Sequence, residues 1–550
     1  MKHTFLGLIE QSIRKNWNLP ALTDFEGETI YYKDFALQIA KLHAYFKAGG
    51  VEKGDKIAIC GRNSSHWAIA FFGTLSYGAV AVSILHEFDK GSVEYIVDHS
   101  DAKVFFVDKA LHQNLDFQTM PQLETVVLLD DFSLEQTKSK ELKKFFTNAE
   151  SYFKNNFSKD FTANDINFHE EDAEELAVLN YTSGTTSSPK GVMIPYRSLW
   201  SNTKFANDNL EFISAGDNIV CMLPMAHTYG LAFEILNSLS MGCHIHFLSR
   251  TPSPKIIMEA FAKVKPRLVL AVPLIIEKIV TRNVFTEIHK QPIKTLIKVP
   301  IVNLFIRKKI KQKLIDFFGG NLVEVVVGGA ALNKEVESFL RFIHFPYTVG
   351  YGMTECSPLI AYAYWSEFKE QSCGKIVDRM EAKIDSNNPR TEVGEILVKG
   401  ANLMLGYYKN EEATNEVMQD DGWMKTGDLG ILDKDNFLFI KGRNKNLILG
   451  SSGQNIYPEE IEDKLNNSPF IQESLVIEEE GKVLALIYPD AEAMKQNQIE
   501  ENDYISFFDE EINNINQTLP AYSKIRSFRI RKEEFDKTPK RSIRRFKYTN

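Results

Sequence analysis

Tyr181-Thr182-Ser183-Gly184-Thr185-Thr186-Ser187-Ser188-Pro189-Lys190-Gly191 is the stretch whose reading decides the fold of this 550-residue chain. It follows the apolar run Leu176-Ala177-Val178-Leu179, which reads as a buried strand, so the hydroxyl-rich segment is expected to be the loop leaving that strand's carboxyl end. Ligands collect at that end in open α/β sheets. Gly184 and Gly191 allow close approach to an anion, the Ser and Thr hydroxyls offer donors, and Lys190 supplies a point charge. The segment therefore reads as a phosphate cradle. A Walker A loop needs Gly-Lys-Ser/Thr, whereas Pro189 precedes this lysine and Gly191 follows it, which removes the P-loop and kinase readings. A flexible Ser/Thr loop is the plainer alternative.

The length exceeds one ordinary core and predicts two or more domains. A hydrophobic content of 44% with mixed charges fits a globular protein, and a formal net charge of -9 argues against a general nucleic-acid binder. No run approaches the roughly 20 apolar residues of a membrane span, and the start lacks a signal-peptide core, so a cytoplasmic location is expected. Cys60, Cys221, Cys243, Cys356 and Cys373 are scattered and suggest neither a disulfide framework nor a zinc site.

Between residues 31 and 108 helical and strand patterns alternate: a helix over 33 to 47, a strand over 56 to 60, a buried helix over 67 to 77, and strands over 78 to 82 and 104 to 107. Alternation of this kind implies a mostly parallel, doubly wound sheet. Residues 134 to 175, rich in charge, read as a solvated surface segment. His227, in Met222-Leu223-Pro224-Met225-Ala226-His227-Thr228-Tyr229-Gly230, is by default a core or turn histidine. Residues 294 to 318 carry Lys294, Lys298, Arg307, Lys308, Lys309, Lys311 and Lys313 among Leu304, Phe305, Ile310, Leu314 and Phe318. Apolar residues at helical spacing with a basic opposite face suit an anionic membrane surface, and equally a core-docked helix with solvated lysines. The β-branched run 323 to 327 ends in Gly328-Gly329-Ala330-Ala331, where small residues leave room for a flat ring. Thr348-Val349-Gly350-Tyr351-Gly352-Met353-Thr354-Glu355 combines glycines, a stacking aromatic, a hydroxyl and a carboxylate suited to a hard cation.

Taken in order with Gly394-Glu395-Ile396-Leu397-Val398-Lys399-Gly400, Gly406-Tyr407-Tyr408, Gly422-Trp423-Met424-Lys425-Thr426-Gly427-Asp428 and Lys441-Gly442-Arg443-Asn444-Lys445, these motifs resemble the AMP-forming adenylating superfamily. Within it the long-chain fatty acid-CoA ligases of bacteria are most similar, the basic 294 to 318 segment resembling their insertion. Ser187 stands where the family usually has glycine. The resemblance implies an α/β fold: a large amino-terminal domain, 1-444, with doubly wound sheets plus a small barrel, then a small mobile α+β carboxyl-terminal domain, 445-550. It also implies ATP contacts from Thr182, Ser183, Gly184, Thr185, Thr186, Gly328, Gly329, Ala330, Tyr351, Gly352, Met353, Thr354, Asp428 and Arg443, the last two at the ribose. Lys190, Thr354 and Glu355 are the implied catalytic groups, Glu355 being the Mg²⁺ ligand; His227 is implied beside the substrate carboxylate. Lys445 is the implied hinge and Gly453 the loop that meets the thiol of coenzyme A.

The tail departs from the pattern. Resembling synthetases end in Thr-x-x-Gly-Lys-Ile-x-Arg, whereas this chain reads Thr538-Pro539-Lys540-Arg541-Ser542-Ile543-Arg544-Arg545, with Ser542 at the lysine position. Lys540 or Arg541 could substitute after a local shift. The reading that follows is activation of a fatty acid to acyl-CoA through an acyl-adenylate, with Mg²⁺ as cofactor, ATP and coenzyme A as co-substrates, and peripheral contact with an anionic membrane as a further expectation. The alternatives are an adenylation module loading a carrier protein and, motivated by Ser542 alone, a catalytically impaired acyl or nucleotide sensor.

Overall fold

A computed structural model describes residues 4–157, 161–182, 189–249, 254–285, 300–449, 454–538 and 542–549. Its largest sheet has the strand order Gly406–Tyr407, Lys190–Pro195, Leu176–Thr182, Val80–Ile84, Lys56–Cys60, Ala102–Val107, Thr125–Leu128, Leu134–Thr137. The strands from Leu176–Thr182 to Thr125–Leu128 run parallel, and antiparallel strands close both edges. Parallel strands are covered on both faces, which is why Val80–Ile84 is buried at every position. The helix Ser65–Tyr77 is apolar on all sides and correspondingly buried; Ser64 caps its start by accepting from Trp67 N–H, and Gly78 ends it at φ 89°. A side chain at Gly78 would also meet the ring of His169.

A second sheet pairs Asn218–Cys221, His244–Phe247 and Pro20–Asp24 in parallel, with Thr29–Tyr31 antiparallel at its edge. A third, Leu268–Ala271, Glu324–Val327 and Tyr347–Val349, is wholly parallel. The small barrel is built from two antiparallel sheets, Tyr351–Gly352 to Lys375–Ile376 and Met380–Asp385 to Leu438–Arg443, joined by a bridge between Lys375 and Phe437. Beyond it, Ile471–Glu479 and Lys482–Pro489 form a hairpin to which Ser527–Ile530 adds in parallel. Helices Pro458–Asn466 and Tyr504–Gln517 help enclose a core of its own around Leu465, Val476, Ala485 and Phe508. The expected large α/β domain and small α+β domain are both present.

Two expectations need correction. Residues 134 to 175 are not merely solvated: they contain the sheet-edge strand Leu134–Thr137 and the helix Lys140–Asn156. Their lysines and glutamates mask an inward aromatic face, where Phe146 stacks on Tyr45 at 4.2 Å and Phe153 meets the same ring edge-on. Within the acidic run, Glu171 turns inward to accept from the N–H groups of Phe5 and Leu6 at the first turn of the helix Phe5–Lys15. The basic segment is a helix over Pro300–Phe317, but without one apolar stripe. Leu314 and Phe318 pack into the core against Phe261 and Phe345, whereas Leu304 and Phe305 are 69% and 70% exposed. Lys294 and Lys298 lie outside the described residues.

The cysteines are free, four of them buried. No helix among the described residues is long and apolar enough to cross a membrane.

Candidate active site

The Leu176–Thr182 strand turns back into Lys190–Pro195 so that Thr182 registers with Lys190. The strands that flank the candidate phosphate loop pair antiparallel, and Lys190 takes the first position of the return strand. Ser183, Gly184, Thr185 and Thr186 lie outside the described residues. Gly191 packs closely, a Cβ there approaching the ring of Tyr181 to 3.0 Å. That ring is itself fixed by a 2.8 Å bond between its hydroxyl and His99 Nδ1.

Beside the hairpin, two buried asparagines hold the loop that carries His227. Asn180 donates to Ser83 Oγ at 2.9 Å and to the Ala226 carbonyl at 2.7 Å. Asn63 donates to the Leu223 carbonyl at 2.7 Å and accepts from Met225 N–H at 3.0 Å. Glu234, fully buried, accepts from Leu223 N–H, and burial pushes its carboxyl up to about 8. His227 caps the helix that follows, its Nδ1 accepting from Tyr229 N–H at 3.2 Å. Tyr229 donates to the Val326 carbonyl at 2.9 Å and lies against Gly328, where an added Cβ would come within 3.0 Å of its ring. That glycine's smallness is used for Tyr229 packing, a contact the sequence did not suggest.

The Tyr351 to Glu355 turn is clamped from several directions. Met353 N–H bonds to the Pro358 carbonyl and Met404 N–H to the Glu355 carbonyl, both at 2.9 Å, while a Cβ at Gly352 would lie 2.3 Å from the Pro358 carbonyl oxygen. Asn202 braces the same turn through Cys356 and Leu359. So held, Glu355 accepts a 2.8 Å bond from Tyr407, and Lys190 Nζ sits 5.3 Å from the centre of the Tyr407 ring.

Across the cleft, buried Asp428 accepts from Tyr351 at 2.6 Å on one oxygen and pairs with Arg443 Nε at 3.0 Å on the other. Thr426 Oγ1 receives Asp428 N–H, and Glu395 receives Gly427 N–H, fixing the turn. Lys445 is held below the ordinary lysine range by burial and then by the positive charge of Arg443, with Lys190 and Glu355 also within electrostatic reach. The small domain closes this side through Lys334–Asp463 at 3.4 Å and Lys441–Glu460 at 3.7 Å. Ser542 is exposed towards the cleft; its backbone pairs with Thr538, while Arg545 Nη2 donates to both carboxylate oxygens of Glu462 at 2.6 and 2.8 Å. Lys540, Arg541 and Gly453 lie outside the described residues.

One cleft of about 3210 Å³ therefore gathers Thr182, Lys190, His227, the Gly328-Gly329-Ala330 turn, the Tyr351 to Glu355 turn, Asp428, Arg443, Lys445 and Ser542. A single-ligand pocket holds about 300–1,000 Å³, so this one has room for a nucleotide together with other substrates. Residues 9–408 match the AMP-binding enzyme family, and residues 445–550 match the AMP-binding enzyme C-terminal domain.

The chain belongs to the AMP-binding enzyme family.

Within that family of adenylating acyl-CoA ligases, it is 28% identical over 528 residues to the long-chain-fatty-acid–CoA ligase FadD15 of Mycobacterium bovis, covering 88% of this chain and 84% of that protein. The long-chain-fatty-acid–CoA ligase of Bacillus subtilis is 27% identical, with 82% and 79% covered. Among solved structures, the O-succinylbenzoate coenzyme A synthetase MenE of Bacillus subtilis with AMP superposes with a TM-score of 0.75 at 21% identity, over 98% and 97% of the two chains. ATP-bound MatB of Rhodopseudomonas palustris superposes with a TM-score of 0.77 at 20% identity, over 100% and 98%. These superpositions bear out the architecture of this AMP-binding enzyme, a large α/β domain followed by a separate carboxyl-terminal one.

Asn63, Asn180, Asn202 and Tyr407 contribute to the site of this AMP-binding enzyme without having been assigned chemistry from the sequence. Asn63 acts through its two bonds to the His227 loop. For the others the only available signal was position: Asn180 precedes the cradle directly, and Tyr407 lies in a motif of otherwise structural glycine and aromatic residues.

Proposed function

We propose that this AMP-binding enzyme converts a long-chain fatty acid to its coenzyme A thioester through an acyl-adenylate, releasing AMP and pyrophosphate. The observation that carries the proposal is the meeting of Lys190, Glu355 and the Asp428–Arg443 pair around a cleft that continues between apolar walls including Leu210, Phe233, Leu268 and Leu270. The names of the relatives support the acyl class.

The substrate carboxylate attacks the α-phosphorus of ATP, the bond to the β-phosphate oxygen breaks, and pyrophosphate leaves. The thiol of coenzyme A then attacks the acyl carbonyl and displaces AMP. Neither step needs a protein nucleophile, so the chain contributes position and charge. Lys190 and the hydroxyl-rich segment before it hold the departing phosphates, Asp428 and Arg443 hold the ribose, and His227 orients the carboxylate. Among the described residues no cluster of three His, Cys, Asp or Glu forms a self-sufficient metal cage. Magnesium suits such a site, since it is ordinarily held by one or two carboxylates with substrate phosphates. Glu355 fits because Tyr407 uses one of its oxygens and, among the described residues, no hydrogen bond takes the other. Bound there, the ion would supply neutralisation of phosphate charge.

The proposal is tested by incubating the protein with palmitate, Mg-ATP and coenzyme A. AMP, pyrophosphate and thioester are expected in equal amounts; ADP would overturn adenylation, and equal turnover of acetate would overturn long-chain preference. Nucleotide and fatty-acid binding without turnover would instead establish a sensor, and transfer to a carrier protein in place of coenzyme A an adenylation module.

A membrane contact rests on the Pro300–Phe317 helix. Leu304 and Phe305 face outward, and Arg307, Lys308, Lys309, Lys311 and Lys313 follow them along the helix. This order suits an apolar end entering the lipid with a basic collar at the headgroups. Sedimentation with phosphatidylserine vesicles should fall when Arg307, Lys308 and Lys309 become Gln; unchanged binding would exclude the contact.

A further inference from the structure

Tyr407 touches two opposite charges of the cleft, the carboxylate of Glu355 through its hydroxyl and the ammonium of Lys190 beside its ring. It belongs to a two-residue edge strand, Gly406–Tyr407, registered against Met193 and Val192 on the strand that begins at Lys190. Its own N–H is taken by Thr414 Oγ1 at 2.9 Å, and the next residue, Tyr408, donates N–H to the Gly191 carbonyl at 2.8 Å and its hydroxyl to Asp101 at 2.9 Å. The backbone on either side of the ring is thereby tied to the cradle hairpin. From this fixed position the hydroxyl reaches Glu355 Oε1 at 2.8 Å, while the ring lies 5.3 Å from Lys190 Nζ. Among the described residues no ion pair joins Lys190 to Glu355.

A lysine and a glutamate on one cleft attract each other, and a direct pair would compete with a bound nucleotide for both charges. An aromatic ring can accommodate the ammonium on its face while its hydroxyl occupies one carboxylate oxygen. The second carboxylate oxygen then remains for a cation.

We propose that Tyr407 is a positioning residue that separates Lys190 from Glu355, its ring seating the lysine that meets phosphate and its hydroxyl orienting the carboxylate that meets Mg²⁺. The inference deepens the proposed function and rests on the roles given there to Lys190 and Glu355.

The test is calorimetric titration of ATP into the full chain at a series of Mg²⁺ concentrations and in EDTA. Removing a partner that orients a metal ligand commonly costs about 10–100-fold in metal affinity. Tyr407→Phe keeps the ring and loses the hydroxyl, so the Mg²⁺ midpoint should rise about tenfold while metal-free ATP affinity stays within about twofold. Tyr407→Leu loses both functions and should weaken metal-free ATP binding as well. Glu355→Gln in parallel separates the two failures. If Glu355→Gln leaves the Mg²⁺ midpoint in place, Glu355 is not the ligand, and the reading of the site falls with the inference. If Glu355→Gln raises the midpoint and Tyr407→Phe does not, only the inference falls. Equal losses for ATP, AMP and thermal stability in Tyr407→Phe would show a merely structural tyrosine and overturn it also.

Discussion

Tyr351 and Asp428 share a buried hydrogen bond of 2.6 Å that joins the turn before Glu355 to the strand Met424–Leu432 of the small barrel. Arg443, registered opposite Asp428 on the neighbouring strand, completes the arrangement at 3.0 Å. A carboxylate has about four acceptor positions, so Asp428 retains capacity for ribose hydroxyls while these two neighbours fix its orientation. Tyr351→Phe should therefore raise the KM for ATP by about 10- to 100-fold with kcat little changed, on the basis of about 1.5–3 kcal/mol for a bond to a charged group. Steady-state kinetics with ATP varied would check this. An unchanged KM would show that the bond serves folding alone.

Glu355→Gln should reduce turnover most at limiting Mg²⁺ and leave the melting temperature within a degree or two of wild type. The carboxylate sits on a turn whose backbone is already secured by Met353 and Met404, so the fold does not depend on its charge. Activity that responds identically to Mg²⁺ in both proteins would remove Glu355 from metal binding.

Buried carboxyl groups make stability depend on pH in a defined direction. Burial raises Glu234 to about 8 and Glu171, Glu324 and Glu337 each to about 7, against 4.5 in an exposed chain. Between those values the folded state holds protons that the unfolded state has lost. Stability is thus fullest below about pH 4.5 for these groups and declines as pH rises towards 8. Glu234→Gln retains an acceptor for Leu223 N–H and removes the ionisation. It should melt higher than wild type at pH 8, by an amount worth about 2–4 kcal/mol, with the gap closing at pH 5. Thermal unfolding at the two pH values decides it, and a gap independent of pH would contradict the account.

The architecture was legible where a local pattern and the tertiary environment agree. Leu176 to Leu179 is apolar because the strand is covered on both faces, and the alternating elements from residue 31 to 108 become the parallel half of the largest sheet. The cleft was legible through motifs, since Lys190, Glu355 and Asp428 each stand in a distinctive local context. What escaped is long-range. Nothing near Tyr407 in sequence indicates that it will lie between Lys190 and Glu355, because strand pairing brings the three together. The charge of residues 134 to 175 hid an inward aromatic face for a similar reason: the partner, Tyr45, lies on a helix about a hundred residues earlier. Likewise, helical spacing in the basic segment could not reveal that Leu304 and Phe305 face outward, since that depends on where Leu314 and Phe318 dock.

Ser542 presents the sharpest question about rate. Its N–H bonds to Thr538 Oγ1 at 3.3 Å and its carbonyl accepts from Thr538 N–H at 2.8 Å, so the backbone of the tail is anchored independently of the side chain, which is exposed towards the cleft. A lysine there can be accommodated without disturbing a core. If adenylation lacks one ammonium that would stabilise the developing charge, the loss is on the order of 10²- to 10³-fold, by comparison with removal of one oxyanion donor. Ser542→Lys should then accelerate acyl-adenylate formation and leave thioester formation from supplied acyl-adenylate nearly unchanged. Rapid-quench measurement of the two half-reactions separates them. Suppose instead that Ser542→Lys alters neither, while Lys540→Ala or Arg541→Ala abolishes adenylation. A basic neighbour then supplies the charge, the tail is in register one or two residues away from the alignment on Thr538, and an impaired sensor loses the observation that motivated it.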